Sequence, residues 1–517
     1  MKHRVFWPTF LVLLAGITYS FIDGDGFLSS MTAMNNWILT SFGKLFCVTA
    51  LVMLLVVIAA YISPLGKIKI GGPSAKPLLS RWKWFSIVLC TTVAIGILFW
   101  SAAEPVFHFI RPPAFSGVKP GSAEAAKFAM STMFLHWTFT PYAIYTVPSL
   151  VFALVYYNSR GSYSLGALVQ PICKHAVTKS VGELIDAICL YSLVAGMAAA
   201  LGAGMLTLAG GVEKLFGISV TPFTLGVAAV SIVFAVGFSS VSGLMNGIRI
   251  LSDWNAKIFF ALLLFVFVTG PTLYIIQLGG ISLIEYITDV IPRTAAIGAE
   301  NDVGWFNGWT VFYWAVWMAW APVTALFLGR IGYGYSVREY IVFNFVLPSV
   351  FGIVWMSVFS GAAINFQMEG VTNLHQTIVE GGVEQAIYAL FAQLPGAKII
   401  SFFFIGISFL SFVTAADSSI SAMGGISSTG ISPESPEASM GVKILWGVSV
   451  GLVAWVMVSF LGVDGIKMSS NLGGFPALFL LIVVTFALIA MIVRHKQYIG
   501  EPQEESHAVE EQVSPVA

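Results

Sequence analysis

From Val5 to Val493 the chain is a succession of apolar stretches, most of them roughly 20 residues long, separated by short loops. A stretch of that length crosses the hydrocarbon core of a bilayer as a helix, and little else accommodates so many in one chain. Hydropathy places about twelve spans, near residues 5–23, 42–63, 84–106, 130–157, 184–209, 219–240, 256–278, 308–329, 338–364, 399–424, 441–462 and 470–493. The chain is 57% hydrophobic and 10% charged, whereas a water-soluble domain carries about a quarter charged residues, so the fold class is an all-α polytopic membrane protein.

Charge sets orientation and excludes partners. Lys67, Lys69, Lys76, Arg81 and Lys83 fall in one loop and dominate the positive-inside bias, which places both termini in the cytoplasm of a multi-pass cell-membrane protein. Lys2, His3 and Arg4 precede the first apolar run as in a signal peptide. No small-residue cleavage site follows, and a retained first helix is expected. The net charge of zero gives no reason to expect a nucleic-acid partner. Cys47, Cys90, Cys173 and Cys189 lack metal-binding spacing and read as packing residues or free thiols.

Two outer stretches, 280–291 and 383–394, have the pattern of amphipathic helices lying on the membrane surface or packing on the bundle. The tail after Val493 is short and acidic and is expected to be disordered. There is no P-loop, no HExxH and no GxSxG, so neither ATP hydrolysis nor a hydrolase centre is indicated. His136 is the one histidine placed inside a span, where packing or a proton relay would both suit it.

The stretch FYWAVWMAWAP (312–322) sets Trp314, Trp317 and Trp320 at every third residue ahead of Pro322, and HWTFTPYAIY (136–145) adds Trp137, Tyr142 and Tyr145. Tryptophan in membrane proteins gathers at the interfaces, where Trp82, Trp84, Trp305 and Trp309 belong. Trp137, Tyr145, Trp317 and Trp320 fall well inside their spans instead. Dry aromatic faces attract cations, at about 0.5–2 kcal/mol per ring, and hold quaternary ammonium groups, which have no N–H to give a carboxylate. Plain packing is the competing reading. Carboxylates within the spans are few: Glu104, Asp186 and Asp417. Pro141, Pro322 and Gly96 mark candidate helix interruptions of the kind transporters use at midplane sites, or simple kinks.

These residues resemble the betaine/choline/carnitine transporter family. The stretch 309–341 is similar to that family's signature segment, and 136–145, AAEPVFHF (102–109), 182–205, 242–255 and 413–428 resemble further segments. The resemblance runs over roughly 5–495. It implies two five-helix inverted repeats of LeuT type at 84–278 and 308–493, with two extra N-terminal helices (5–63), and a homotrimer. It also implies secondary active import of a small zwitterion or quaternary ammonium compound (betaine, choline or carnitine type) by alternating access. By position the cage falls on Trp137, Tyr142, Tyr145 and Trp317, with Trp320 and Phe327 further in along the path and Gly96 at the third span's turn.

The departures from the family pattern point elsewhere. Only Gly96 survives of a glycine-rich turn, which reads Thr92, Val93, Ala94, Ile95, Gly96 here, and β-branched residues favour regular backbone. The family's Thr-Ser sodium pair is Thr414 and Ala415, so a sodium site at Thr414 is weakened. Leu193, Met197 and Ala200 offer no hydroxyl in the fifth span, and Asn255 stands where sodium-independent exchangers have arginine. Sodium, protons through Glu104, Asp417 or His136, and exchange without a coupling ion all stay open, and no cofactor is expected. The alternatives are a transporter of another zwitterion such as a sulfonium compound, a sodium-independent exchanger, or a sensor that binds without turnover. No signalling domain, catalytic constellation or polar pore lining supports a sensor, an enzyme or a channel.

Overall fold

The computed structural model describes residues 1–92, 94–173, 178–241, 244–431 and 438–499. Its helices are, in chain order, α1 (His3–Ile22), α2 (Gly24–Ile62), α3 (Arg81–Thr92), α4 (Ala94–Trp100), α5 (Glu104–Ile110), α6 (Ala123–Trp137), α7 (Phe139–Ala153), α8 (Lys179–Phe216), α9 (Pro222–Val241) and α10 (Leu244–Thr269). Then follow α11 (Thr272–Thr294), α12 (Val303–Phe306), α13 (Phe312–Ile331), α14 (Val337–Ile341), α15 (Leu347–Met368), α16 (Leu374–Gly381), α17 (Gln385–Phe391), α18 (Ala397–Ser427) and α19 (Met440–Val493). Among the described residues the only β pairing is one bridge between Lys69 and Ser336. No disulfide forms there, and the four cysteines are free.

Among the described residues ten helical stretches are long and apolar enough to cross a bilayer. Ten of the twelve predicted spans fall on nine of them, because the last two predicted spans share α19. That helix is 54 residues long, and at 1.5 Å per residue it would reach roughly 80 Å if straight. Gly462 breaks it with φ 54° and ψ −132°, a region open to glycine. The chain doubles back there so tightly that a Cβ on Gly465 would lie 2.3 Å from the Met457 carbonyl oxygen. The predicted third span covers α3 and α4, and residue 93 between them lies outside the described residues. The predicted sixth is the shorter apolar helix Pro222–Gly237.

The tenth stretch is α11, which contains the predicted amphipathic segment 280–291. Leu273, Ile276, Ile284, Ile287 and Ile291 form an exposed apolar stripe on it, while Ile275, Gly279, Ser282 and Tyr286 are buried. Arg293 pins its end by donating to Ser131 Oγ at 2.7 Å and to Thr132 Oγ1. The other amphipathic segment shortens to α17. The acidic tail lies outside the described residues from 500 onward.

At the centre of the bundle α13 is buried almost throughout, as expected of a helix apolar on every side. Small residues let its neighbours approach. A Cβ on Gly474 of α19 would lie 2.4 Å from the Ala315 carbonyl oxygen, and one on Gly196 of α8 would lie 3.1 Å from that of Ala319. Backbone contact this close fixes α13 against α8 and α19, and thereby fixes which of its side chains face the interior space.

Candidate functional site

The α6–α7 span is broken at Thr138, whose φ of −127° and ψ of −121° are non-helical. Pro141 supplies the reason: it has no N–H to give the Trp137 carbonyl four residues back. Trp137 therefore sits at a helix end. The expected interruption at Pro322 does not occur. The α13 helix runs through that residue, forgoing one backbone hydrogen bond, and its irregular turn lies earlier, in the π turn Asn307–Val311.

A cavity of about 70 Å³ opens beside these elements. From α13 it is lined by Phe312, Tyr313, Val316, Trp317 and Trp320, and from the α6–α7 span by Trp137 and Tyr145. Thr91, Thr92, Gly96 and Trp100 close it from α3 and α4, Ala199, Ala200 and Ala203 from α8, and Ile466 and Ser470 from α19. Positions 313, 316, 317 and 320 form one helical stripe. Trp314 does not belong to it: at 100° per residue it lies about 120° around the helix from Trp320. Trp314 is fully buried away from the cavity. The every-third-residue spacing of the three tryptophans thus gives two cavity rings and one packing ring.

The rings meet edge to face. Trp137 and Trp317 are 5.6 Å apart at 77°, Tyr145 and Trp317 5.0 Å at 64°, and Trp137 and Tyr313 5.1 Å at 69°. Each indole N–H is tied elsewhere: Trp137 donates to Glu104 Oε2 at 2.7 Å, Trp317 to the His136 carbonyl at 3.0 Å and Trp320 to the Gly196 carbonyl at 3.1 Å. The rings are fixed, and their π faces remain as the chemistry offered to the cavity. Among the described residues no charged side chain lines it, so a cation there would be held by ring faces. Gly96 makes the room: a Cβ there would fall 2.3 Å from the Trp137 ring. Tyr142 packs behind Trp317 at 5.8 Å and is not part of the lining, nor is Phe327, two turns beyond Trp320.

Behind Trp137 and Tyr313 lies a buried polar cluster that sequence reasoning did not assemble. Glu104 Oε2 accepts from the Trp137 indole and, at 2.5 Å, from the Tyr313 hydroxyl. Its Oε1 lies 2.7 Å from His136 Nδ1 and 3.2 Å from His108 Nε2. His136 Nε2 meets Thr310 Oγ1 at 3.0 Å, and the ring stacks on Tyr313 at 4.5 Å. His108 is thus a second buried histidine where one was expected. Two imidazoles and a carboxylate are also a donor set for a divalent ion. Here their atoms hydrogen-bond one another, and Glu104 spends both oxygens on four partners, which suits an anchor for the cage rings. Tyr313 could have been found in the sequence as the residue one turn before Trp317.

The candidate ion position is less developed. Thr414 is buried in α18, with its hydroxyl donating to the Leu410 carbonyl at 2.8 Å, and Ala415 beside it offers only a methyl group. Asn255 of α10 is buried and donates to Ser411 Oγ of α18 at 2.8 Å.

A bundle of crossing helices with a buried aromatic cavity at its centre and a broken span beside it defines a class, the alternating-access membrane transporter. A Na+-coupled sialic acid symporter shares the fold, with a TM-score of 0.50 at 14% identity over 87% of this chain and 86% of that one, and the architecture is of LeuT type. Residues 4–497 match the family described as BCCT, betaine/carnitine/choline family transporter, and the chain belongs to that family. Its relatives include an uncharacterized transporter of Haemophilus influenzae, 30% identical over 95% of this chain and 72% of that protein. Glycine betaine transporter 1 of Vibrio parahaemolyticus is 31% identical over 88% and 85%. The betaine/ectoine transporter LcoP of Corynebacterium glutamicum is 29% identical over 95% and 76%. The protein is a secondary transporter, not an enzyme.

Proposed function

We propose that this chain imports a small zwitterion carrying a quaternary ammonium group, of the glycine betaine type, and that the cavity walled by Trp137, Tyr145, Trp317 and Trp320 receives the cationic head. The observation that carries this is a cation-suited ring cluster, fixed through its N–H groups, around a space with no charged lining. The names of the glycine betaine and betaine/ectoine relatives point to the same class of substrate. Tyr142 supports the cage from behind, and Phe327 belongs to the inner path. Two repeats, 84–278 and 308–493, rock about this site, helices 5–63 stand outside them, both termini face the cytoplasm, and three copies assemble. Family resemblance and loop charge support these last features. Thr414 contributes one oxygen to a weak sodium site.

The test is uptake of labelled glycine betaine, choline and carnitine into proteoliposomes, with an inward sodium gradient and with potassium in its place. Uptake of at least one of the three is expected. Collapse without sodium would support Thr414 as a working ligand, and persistence would favour protons or exchange. No uptake by folded protein would overturn the substrate reading. It would also favour a sulfonium or other zwitterion, a change for which the β-branched run before Gly96 already argues.

A further inference from the structure

The ammonium of Lys467, near the start of the second arm of α19, sits in an aromatic cage of its own. Its Nζ lies 4.3 Å from the Trp309 ring centroid, 5.4 Å from that of Phe312 and 5.9 Å from that of Trp100. Its hydrogen-bond acceptor is the Gly308 carbonyl, at 3.4 Å. An ammonium has three N–H donors, so two remain unspent. Among the described residues no carboxylate lies within ion-pairing distance of it. Asp464, on the preceding turn, is exposed. A half-buried cation balanced by rings and one carbonyl has capacity for an anion.

Its position says which anion. Trp100 and Phe312, two of the three rings around the ammonium, also line the central cavity, as do its chain neighbour Ile466 and Ser470 one turn on. The lining also includes Trp137, whose indole N–H is held by the Glu104 carboxylate. The cavity therefore has a fixed anion behind one lining ring and an incompletely solvated cation beside two others. A zwitterion matches that dipole. A plain cation matches one end and is repelled at the other.

Resting on the proposed function, we propose that Lys467 is the anion-recognising residue of the site. It takes the carboxylate of a zwitterion whose quaternary ammonium lies among Trp137, Tyr145 and Trp317, and so sets the preference for zwitterions over simple cations. The flexible four-carbon stem lets the head turn from the rings toward the cavity.

Binding of glycine betaine and of choline to the purified full-length protein, followed by tryptophan fluorescence, tests the assignment, because choline has a hydroxyl where betaine has its carboxylate. Wild type is expected to bind betaine more tightly. Lys467→Gln should lose about tenfold or more in betaine affinity, the scale of one charge-assisted hydrogen bond, while choline affinity holds or improves. Lys467→Arg should keep the preference. Equal losses for both ligands would make Lys467 a packing residue, and no change in either would remove it from the site. If Lys467→Gln does not fold, wild type is compared on glycine betaine and its methyl ester, and equal affinities overturn the assignment. Wild type that binds neither betaine nor choline would instead overturn the functional reading on which the assignment stands.

Discussion

Replacing Glu104 by glutamine separates the charge behind the cage from the hydrogen bonds that hold it. The carboxylate accepts from Trp137, Tyr313, His136 and His108. A glutamine carbonyl oxygen can keep the Trp137 and Tyr313 donors. Its amide then faces the two imidazoles, which can present an unprotonated nitrogen by changing tautomer. The geometry survives, while four charge-assisted bonds become neutral ones, at a cost of about 1 kcal/mol each, of which about half is returned because a charge is no longer buried. The loss of charge is felt in the cavity as well. For a cation roughly 8 Å away, about one indole's width beyond the carboxylate, at an effective dielectric constant of about 20, Coulomb's law gives about 2 kcal/mol. That is about thirtyfold in Kd. Glu104→Gln should therefore remain folded, with stability lowered by about 2 kcal/mol, and bind glycine betaine about thirtyfold more weakly by tryptophan fluorescence titration. A folded variant with unchanged Kd would show that the cage does not feel Glu104, and that the electrostatic part of this reasoning is wrong.

Three further outcomes are expected. Trp317→Ala and Trp137→Ala should each weaken betaine binding by roughly tenfold or more, the loss of one good cation–ring contact, with elution as folded protein unchanged. Unchanged affinity in both would return the rings to packing. Gly96→Ala should displace Trp137 and reduce binding, because the added methyl would lie 2.3 Å from the ring, and Trp137→Phe in the same chain should relieve the clash and restore folding stability measured by thermal melting. Outside the spans, burial pushes the Glu384 carboxyl up to about 7, with Glu213 nearby adding to the shift. The folded state then holds a proton that the unfolded state releases near pH 4.5, so stability falls as pH rises from about 4.5 through about 7 and stays lower above. Glu384→Gln should raise the melting temperature at pH 8 and leave it nearly unchanged at pH 4, and a gain of equal size at both would refute the burial argument.

Much of the fold was legible because length and apolarity set a bilayer crossing almost by themselves, and helix is the local solution to a buried backbone. The site was legible only in part. Trp137, Tyr145, Trp317 and Trp320 could be named from the two aromatic stretches. Three-residue spacing alone does not put Trp314 on one face with the other two, because each step drifts about 60° around a helix of 3.6 residues per turn. The proline rule failed at Pro322 for a different reason: a single missing bond is tolerated where neighbouring helices hold the backbone on every side, as Gly474 and Gly196 do here. The Glu104 cluster was not legible as a unit, because His136 and Tyr313 reach Glu104 across 32 and 209 residues of chain. Nothing in the sequence sets Lys467 apart, and only the fold places it over Trp309.

The anchoring bonds also bear on alternating access. Trp137 ties α6 to Glu104 of α5, Trp317 ties α13 to the last turn of α6, and Trp320 ties α13 to α8. Each of the three tryptophan rings is thus fixed by one helix and held by another. A motion that parts α13 from α8 while α13 keeps its contact with α6 would break the Trp320 bond and turn that ring first, with Trp137 and Trp317 still locked to the α5–α6 corner and to each other. The outer part of the cage would keep its shape through the cycle, and the inner wall would open. In such a motion Trp320 would be the ring that opens the proposed path toward Phe327.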